Sequence, residues 1–381
     1  MLKVNKNHLI FAMAIFLISL ISLSAAPAYI SWEVTLDNNK DDMGYGITSD
    51  SKDNIIVVGS TISNVNGSRD YLIAKYDKNG ELLWKKTYDT GSRDEAYKVA
   101  TDSEDNILVT GKAARKFLTI KYDKNGNLLW KSHDGKGSDD GAVNLTIDSK
   151  DNVIVTGSSK IVVFGYYTIK YDKNGKMLWR KYWRPAETEL GRAVATDSED
   201  NVIVLGVATN AKDEGAWDDF TFYAFKYDEN GNQLWEYKYG TSYTHAEPYA
   251  ALVDAHDNIF LIGFASKNHD NDFYVIKIDK NGKFLWNKTY GKYNSDIAYD
   301  AAMDSEGNIY LTGVTSDSNL NEEFYTIKID KNGKLLWEKV YNKNKNDIGN
   351  GITLDSENNV YVIGSTKNQT WDILILKYLN K

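Results

Sequence analysis

A carboxylate returns at one fixed place along this chain. Eight positions ahead of each copy of a recurring motif stand Asp42, Asp94, Asp140, Glu189, Asp296 and Asp347, with Ala246 in the remaining slot. Carboxylate oxygens gathered from several elements could hold a hard cation such as calcium or attract a basic partner surface. Taken singly, each Asp could instead accept a hydrogen bond in its own turn. A second acidic set, Asp70, Asp272, Glu323 and Asp372, precedes another recurring strand.

Two irregular segments add a different chemistry. NAKDEGAWDDF sets Trp217 amid four acids, and YTHAEPY brings His245, Glu247 and Tyr249 together. An aromatic ring beside acids and a histidine could grip a sugar or a peptide, or offer an acid and a base to a substrate. Irregular repeats are also simply where drift accumulates. The candidate ligand-binding set is therefore the six periodic acids with Trp217, His245 and Glu247, and no residue is assigned as catalytic.

Other chemistries find little support. Beyond the leader the histidines are His133, His245, His256 and His269, without HExxH or another zinc spacing. GxSxG, P-loop and dinucleotide fingerprints are absent. No cofactor is expected apart from calcium. DSEDN and HDND look like fragments of calcium loops, but the glycine spacing and terminal Glu of an EF-hand are missing.

The elements that position these groups come from repetition. YDKNGELLWKKTY at Tyr76 recurs in close variants at Tyr122, Tyr171, Tyr227, Ile278 and Ile329. DSKDNIIVVG at Asp50 recurs at Asp102, Asp148, Asp197, Asp254, Asp304 and Asp355, always nine positions from Asp to Gly. Seven units of about 50 residues match the length of a propeller blade. Each unit reads as four short strands, a to d, with the apolar b strand covered on both faces and Asp-x-Asn-Gly as the c–d hairpin turn. The predicted fold is all-β, a seven-bladed β-propeller of four antiparallel strands per blade.

Only six Asn-Gly-Trp hairpins accompany the seven a–b motifs. Trp32 lies 18 positions before Asp50, the interval found in the regular blades, so SWEVTLD is the missing d strand. It would close the ring against WDILILKY at the other end of the chain, leaving no open sheet edge. The recurrent Trp and strand c Lys read as packing between blades and as paired or solvated heads. The a–b and c–d turns keep constant lengths, whereas from strand b Gly to strand c Lys the counts are 16, 10, 13, 20, 14, 15 and 13. Recognition is expected on the face whose loops vary.

Residues 1–28 read as a signal peptide, removed on export or else kept as an anchor: Lys3 and Lys6, an apolar run from Leu9 to Leu23, and a small-x-small site at Ala26–Ala28. Residues 29–381 would form the propeller domain, with no membrane span. The chain has 45 basic and 53 acidic residues, a net charge of −8, so nucleic acid is not an expected partner. Without cysteine there are no disulfides, and packing alone must hold the fold. A monomer is expected.

GSRDEAYKVATDSEDNILVTG, Gly91 to Gly111, and DYLIAKYDKNGELLW, Asp70 to Trp84, resemble the SBBP family of seven-bladed propeller repeats found in exported bacterial and archaeal proteins. The resemblance covers essentially the whole chain after the leader. It implies a secreted or cell-surface protein, periplasmic where the source has an outer membrane, and defines no reaction. A weaker likeness to quinoprotein repeats fails on hairpin spacing, blade number and the missing cysteines. The expected role is a non-catalytic binding or scaffolding platform for protein or polysaccharide of the cell envelope. The alternative is an extracellular carbohydrate-active hydrolase or lyase using carboxylates near the channel mouth.

Overall fold

The computed structural model describes residues 29–63, 67–161, 164–184, 189–209, 220–239, 245–267, 270–293 and 295–380. The leader and Trp217 lie outside them, as does the side chain of Glu189. Seven four-stranded antiparallel sheets follow one another in a closed ring. The seventh is completed by Tyr29–Leu36, which pairs antiparallel with Trp371–Leu379 from Tyr29↔Leu379 to Leu36↔Ile373. The strand predicted from the position of Trp32 is thus the one that closes the disc.

The largely apolar b strands, such as Ile55–Ile62 and Ile107–Ala113, are buried along nearly their whole length between neighbouring blades. Burying both faces of a strand excludes water from its apolar side chains, which is the main favourable term in a chain without cross-links. The d strands form the outer edge and alternate between exposed and half-buried positions.

The hairpin YDKNGELLW now has a physical explanation. Its glycine sits at positive φ, from 78° to 89° in the six blades that have it, a conformation open to Gly at no steric cost. The same glycine receives the Trp of the preceding blade: Trp32 packs on Gly80, Trp84 on Gly126 and Trp130 on Gly175. Trp32, Trp130, Trp179 and Trp235 each donate an indole N–H to a carbonyl in that neighbouring turn, at 3.0–3.3 Å.

The a–b turns are stitched more firmly still. In every blade the motif Asp accepts backbone N–H groups two and four residues on, as Asp102 does from Glu104 and Asn106. It also pairs with the strand c Lys, at 2.6–3.7 Å across the seven blades. Ser51, Ser103, Ser149, Ser198 and Ser356 then donate a hydroxyl to an Asp of the next blade's turn. The last of these bonds, Ser356 to Asp53, joins blade seven to blade one.

Candidate functional site

The innermost strand of every blade contains a β-bulge at the same place. The register slips between Gly44 and Gly46, Ala96 and Lys98, Ala142 and Asn144, Gly191 and Ala193, Pro248 and Ala250, Ala298 and Asp300, and Gly349 and Gly351. A bulged residue leaves the ladder, and its side chain is re-aimed. The seven bulged residues are Tyr45, Tyr97, Val143, Arg192, Tyr249, Tyr299 and Asn350, and all seven line one cavity of about 480 Å³ in the channel.

The terminal Gly of the seven-fold b motif makes these bulges possible. A Cβ on Gly111 would stand 2.0 Å from the carbonyl oxygen of Glu95, and a Cβ on Gly59 would stand 1.9 Å from that of Met43. The other five b-strand glycines face the same carbonyl at 1.8–2.1 Å. Only Gly lets strand a approach this closely just before it bulges. A glycine on one strand therefore aims a side chain on its neighbour.

Two tyrosine pairs form the aromatic walls. Tyr45 and Tyr97 meet edge to face with centroids 5.2 Å apart, and Tyr249 and Tyr299 do the same at 5.3 Å. The Arg192 guanidinium lies 5.1 Å from the Tyr249 ring centroid. Burial, helped by the Glu95 carboxylate, pushes the Tyr97 hydroxyl well above its ordinary range, and burial with nearby glutamates raises Tyr299 to about 12. These phenols keep their protons and can donate hydrogen bonds.

The acids near them are already engaged. Tyr97 Oη and Arg93 both donate to Glu95, at 2.8 and 2.9 Å. In the equivalent position of blade five, Tyr249 Oη at 3.0 Å and Arg192 at 2.9 Å donate to Glu247. His245 Nε2 stands 3.1 Å from the other Glu247 oxygen, and its ring stacks on Phe264. Burial would raise the Glu247 carboxyl, but the bond from His245, the charge of Arg192 and the Tyr249 hydroxyl together hold it below the usual range. Lys98 of blade two reaches Asp300 of blade six at 2.6 Å. That ion pair lines both the tyrosine cavity and a smaller one of about 270 Å³ beyond it, so it divides the channel.

The periodic acids are placed differently from the open ring considered above. Asp42, Asp94, Asp140, Asp296 and Asp347 are at most 1% exposed. Asp42 accepts the Asn38 N–H, Asp94 that of Thr90, Asp140 that of Gly137, Asp296 that of Lys292 and Asp347 that of Asn344. Each carboxylate folds back onto its own d–a connection because unpaired turn donors are nearer than the channel. Asp140 alone lines the tyrosine cavity. Among the described residues, no three His, Asp or Glu stand together as a metal site. His245 and Glu247 do meet, whereas Trp217 lies outside the described residues.

Of the bulged residues, sequence reasoning singled out only Tyr249. The signal for the column was present, three positions after each periodic acid or, in blade five, after Ala246, as Tyr, Tyr, Val, Arg, Tyr, Tyr and Asn.

Comparison with known proteins agrees with this architecture. A family model described as a beta-propeller repeat, SBBP, matches residues 342–369. An uncharacterized WD repeat-containing protein of Acanthamoeba polyphaga mimivirus is 28% identical over 22% of this chain, and that match spans 8% of the viral protein. Among solved structures, a streptogramin B lyase superposes with a TM-score of 0.60 at 13% identity, covering 91% of this chain and 97% of the lyase. A protein of unknown function from Bacteroides caccae gives 0.50 at 14% identity, covering 74% of this chain and 93% of that one. At such identities the likeness is one of fold.

Proposed function

Because the chain is a seven-bladed ring carrying an SBBP beta-propeller repeat, we propose that it is a non-catalytic binding platform at the cell surface whose ligand is a saccharide held in the central cavity. The observation that carries this reading is the convergence of all seven bulged side chains on one cavity. Four tyrosines among them offer flat faces for the C–H side of a sugar ring and hydroxyl oxygens that can accept hydrogen bonds from its edges. A cavity of about 480 Å³ lies within the ordinary range for small-ligand sites, which is roughly 300–1,000 Å³. The export pattern of residues 1–28 is what supports the surface location.

The engaged acids favour binding over hydrolysis. Glycoside cleavage by a carboxyl pair needs one member held protonated, and Glu247 is held ionised by Arg192 and His245. Its evident task is to orient Arg192 and Tyr249 toward the cavity. The second reading, a hydrolase or lyase, draws on the His245–Glu247 contact at the mouth. It predicts that Glu247→Gln abolishes a measurable turnover.

The test is binding of the purified protein to an array of neutral and acidic glycans, with Tyr97→Ala and Tyr299→Ala as variants. Retained near-ultraviolet circular dichroism with affinity reduced roughly tenfold, about 1.4 kcal/mol, is the expected result. Binding unaffected by either tyrosine would remove the cavity from consideration.

A further inference from the structure

A second cavity, of about 830 Å³, opens beside the first at the junction of blades two and three and shares Tyr97, Lys112 and Asp139 with it. Its lining holds four cations, Arg93, Lys112, Arg115 and Lys160, and two carboxylates, Glu95 and Asp139. Arg93 pairs with Glu95 at 2.9 Å and Lys112 with Asp139 at 2.6 Å. Arg115 and Lys160 carry the remaining positive charge, on a protein whose net charge is −8. Lys160 is exposed, with its ammonium 5.4 Å from the ring centroid of Phe164, which lines the tyrosine cavity.

The backbone beneath Arg115 is unusual in a way that bears on its role. Ile107–Ala113 and Lys116–Tyr122 pair from Ala113↔Lys116, so Ala114 and Arg115 alone make the turn. Both stand at positive φ, 47° and 62°, the pattern of a tight hairpin for which Asn-Gly or Gly-Gly is the comfortable choice. A long charged side chain in that conformation is strained. The strain places a guanidinium at the cavity rim.

We propose that this cavity receives the acidic substituent of an anionic saccharide, with Arg115 and Lys160 as its counter-charges, while the neighbouring sugar rings lie against Tyr97 and the central tyrosines. This rests on the saccharide reading above and names its class. Guanidinium and ammonium groups at a polar cavity recognise carboxylate or sulfate, and shared Tyr97 makes the two cavities one continuous surface. The acidic remainder of the protein repels a long polyanion, so a short segment or a chain end is the fitting ligand.

The test uses isothermal titration of the full protein with three probes: hexagalacturonate, its methyl ester of the same backbone, and polyglutamate of matched charge. The variants are Arg115→Gly and Lys160→Ala. Arg115→Gly removes the charge but relieves the turn, so its melting temperature should hold or rise, separating lost binding from lost folding. The expected result is binding of hexagalacturonate that weakens with salt and falls roughly tenfold in each variant, with weaker binding of the ester. Equal binding of acid and ester, unchanged in both variants, overturns the proposal and leaves the saccharide reading standing. Binding of polyglutamate alone, or of none of the three probes, overturns the proposal; the saccharide reading falls as well only where the glycan array is also negative.

Discussion

The two faces of this disc are built from the same residue types and put them to opposite uses. On the a–b face, Asp148 and Lys170 are almost wholly buried at 2.8 Å from each other, and every lone pair is matched by Asn152, Lys150 or the ammonium. On the mouth face, Arg93, Arg115, Lys112 and Lys160 ring a cavity with their charge only partly matched. Seven repetitions of the first arrangement make a rigid base. Departures from repetition at the second leave charge available, which suggests that constancy marks support in this fold and irregularity marks contact.

The largest expected effect comes from breaking the base. Lys170→Ala leaves Asp148 as an uncompensated buried charge, which costs about 3–5 kcal/mol, and should lower the melting temperature far more than Arg115→Gly at the mouth. Similar melting temperatures for the two would erase the distinction between the faces. A smaller effect follows from Gly111→Ala, whose Cβ would meet the Glu95 carbonyl at 2.0 Å. Overpacking there costs roughly 1–3 kcal/mol and shifts the bulge that aims Tyr97, so glycan affinity should fall together with stability. Loss of stability with affinity intact would show that the bulge does not aim the ring.

The smallest effect separates the faces by pH. Burial would raise Asp148, but its bonds from Lys170 and Asn152 outweigh that and hold it below the usual range. Stability from this group is therefore present above the unfolded carboxylate value and lost as pH falls through its lowered one. Burial, aided by Asp272, raises Asp296 to about 6. Asp296 binds its proton more tightly when folded, so its contribution is present in acid and lost as pH rises from roughly 4 through about 6. Melting curves across that window should flatten in Asp296→Asn. An unchanged slope in Asp296→Asn would show that this carboxyl titrates normally.

Much of the fold was legible because repetition averages away local ambiguity. Nine positions from Asp to Gly, seven times over, fix strand b, and the interval from Trp32 to Asp50 locates the closing strand. The site was less legible because a column of acids does not reveal where its side chains point. Asp42 and Asp94 turn back to their own loops, and the channel is filled by residues three positions later, re-aimed by a bulge that the spacing of the acids does not by itself reveal. Arg115 and Lys160 belong to no repeating column, so only the folded chain brings them to one cavity.

The closing strand also fixes how the molecule responds to tension. Tyr29 lies opposite Leu379, so both ends of the chain leave the sheet at the same corner. A pull on the two ends loads the hydrogen bonds one rung at a time, from Tyr29 and Leu379 inward to Leu36 and Ile373, rather than all together in shear. The ring would peel open like a zipper from that corner, while traction across the junctions joined by Ser51, Ser103, Ser149, Ser198 and Ser356 meets turn-to-turn hydrogen bonds.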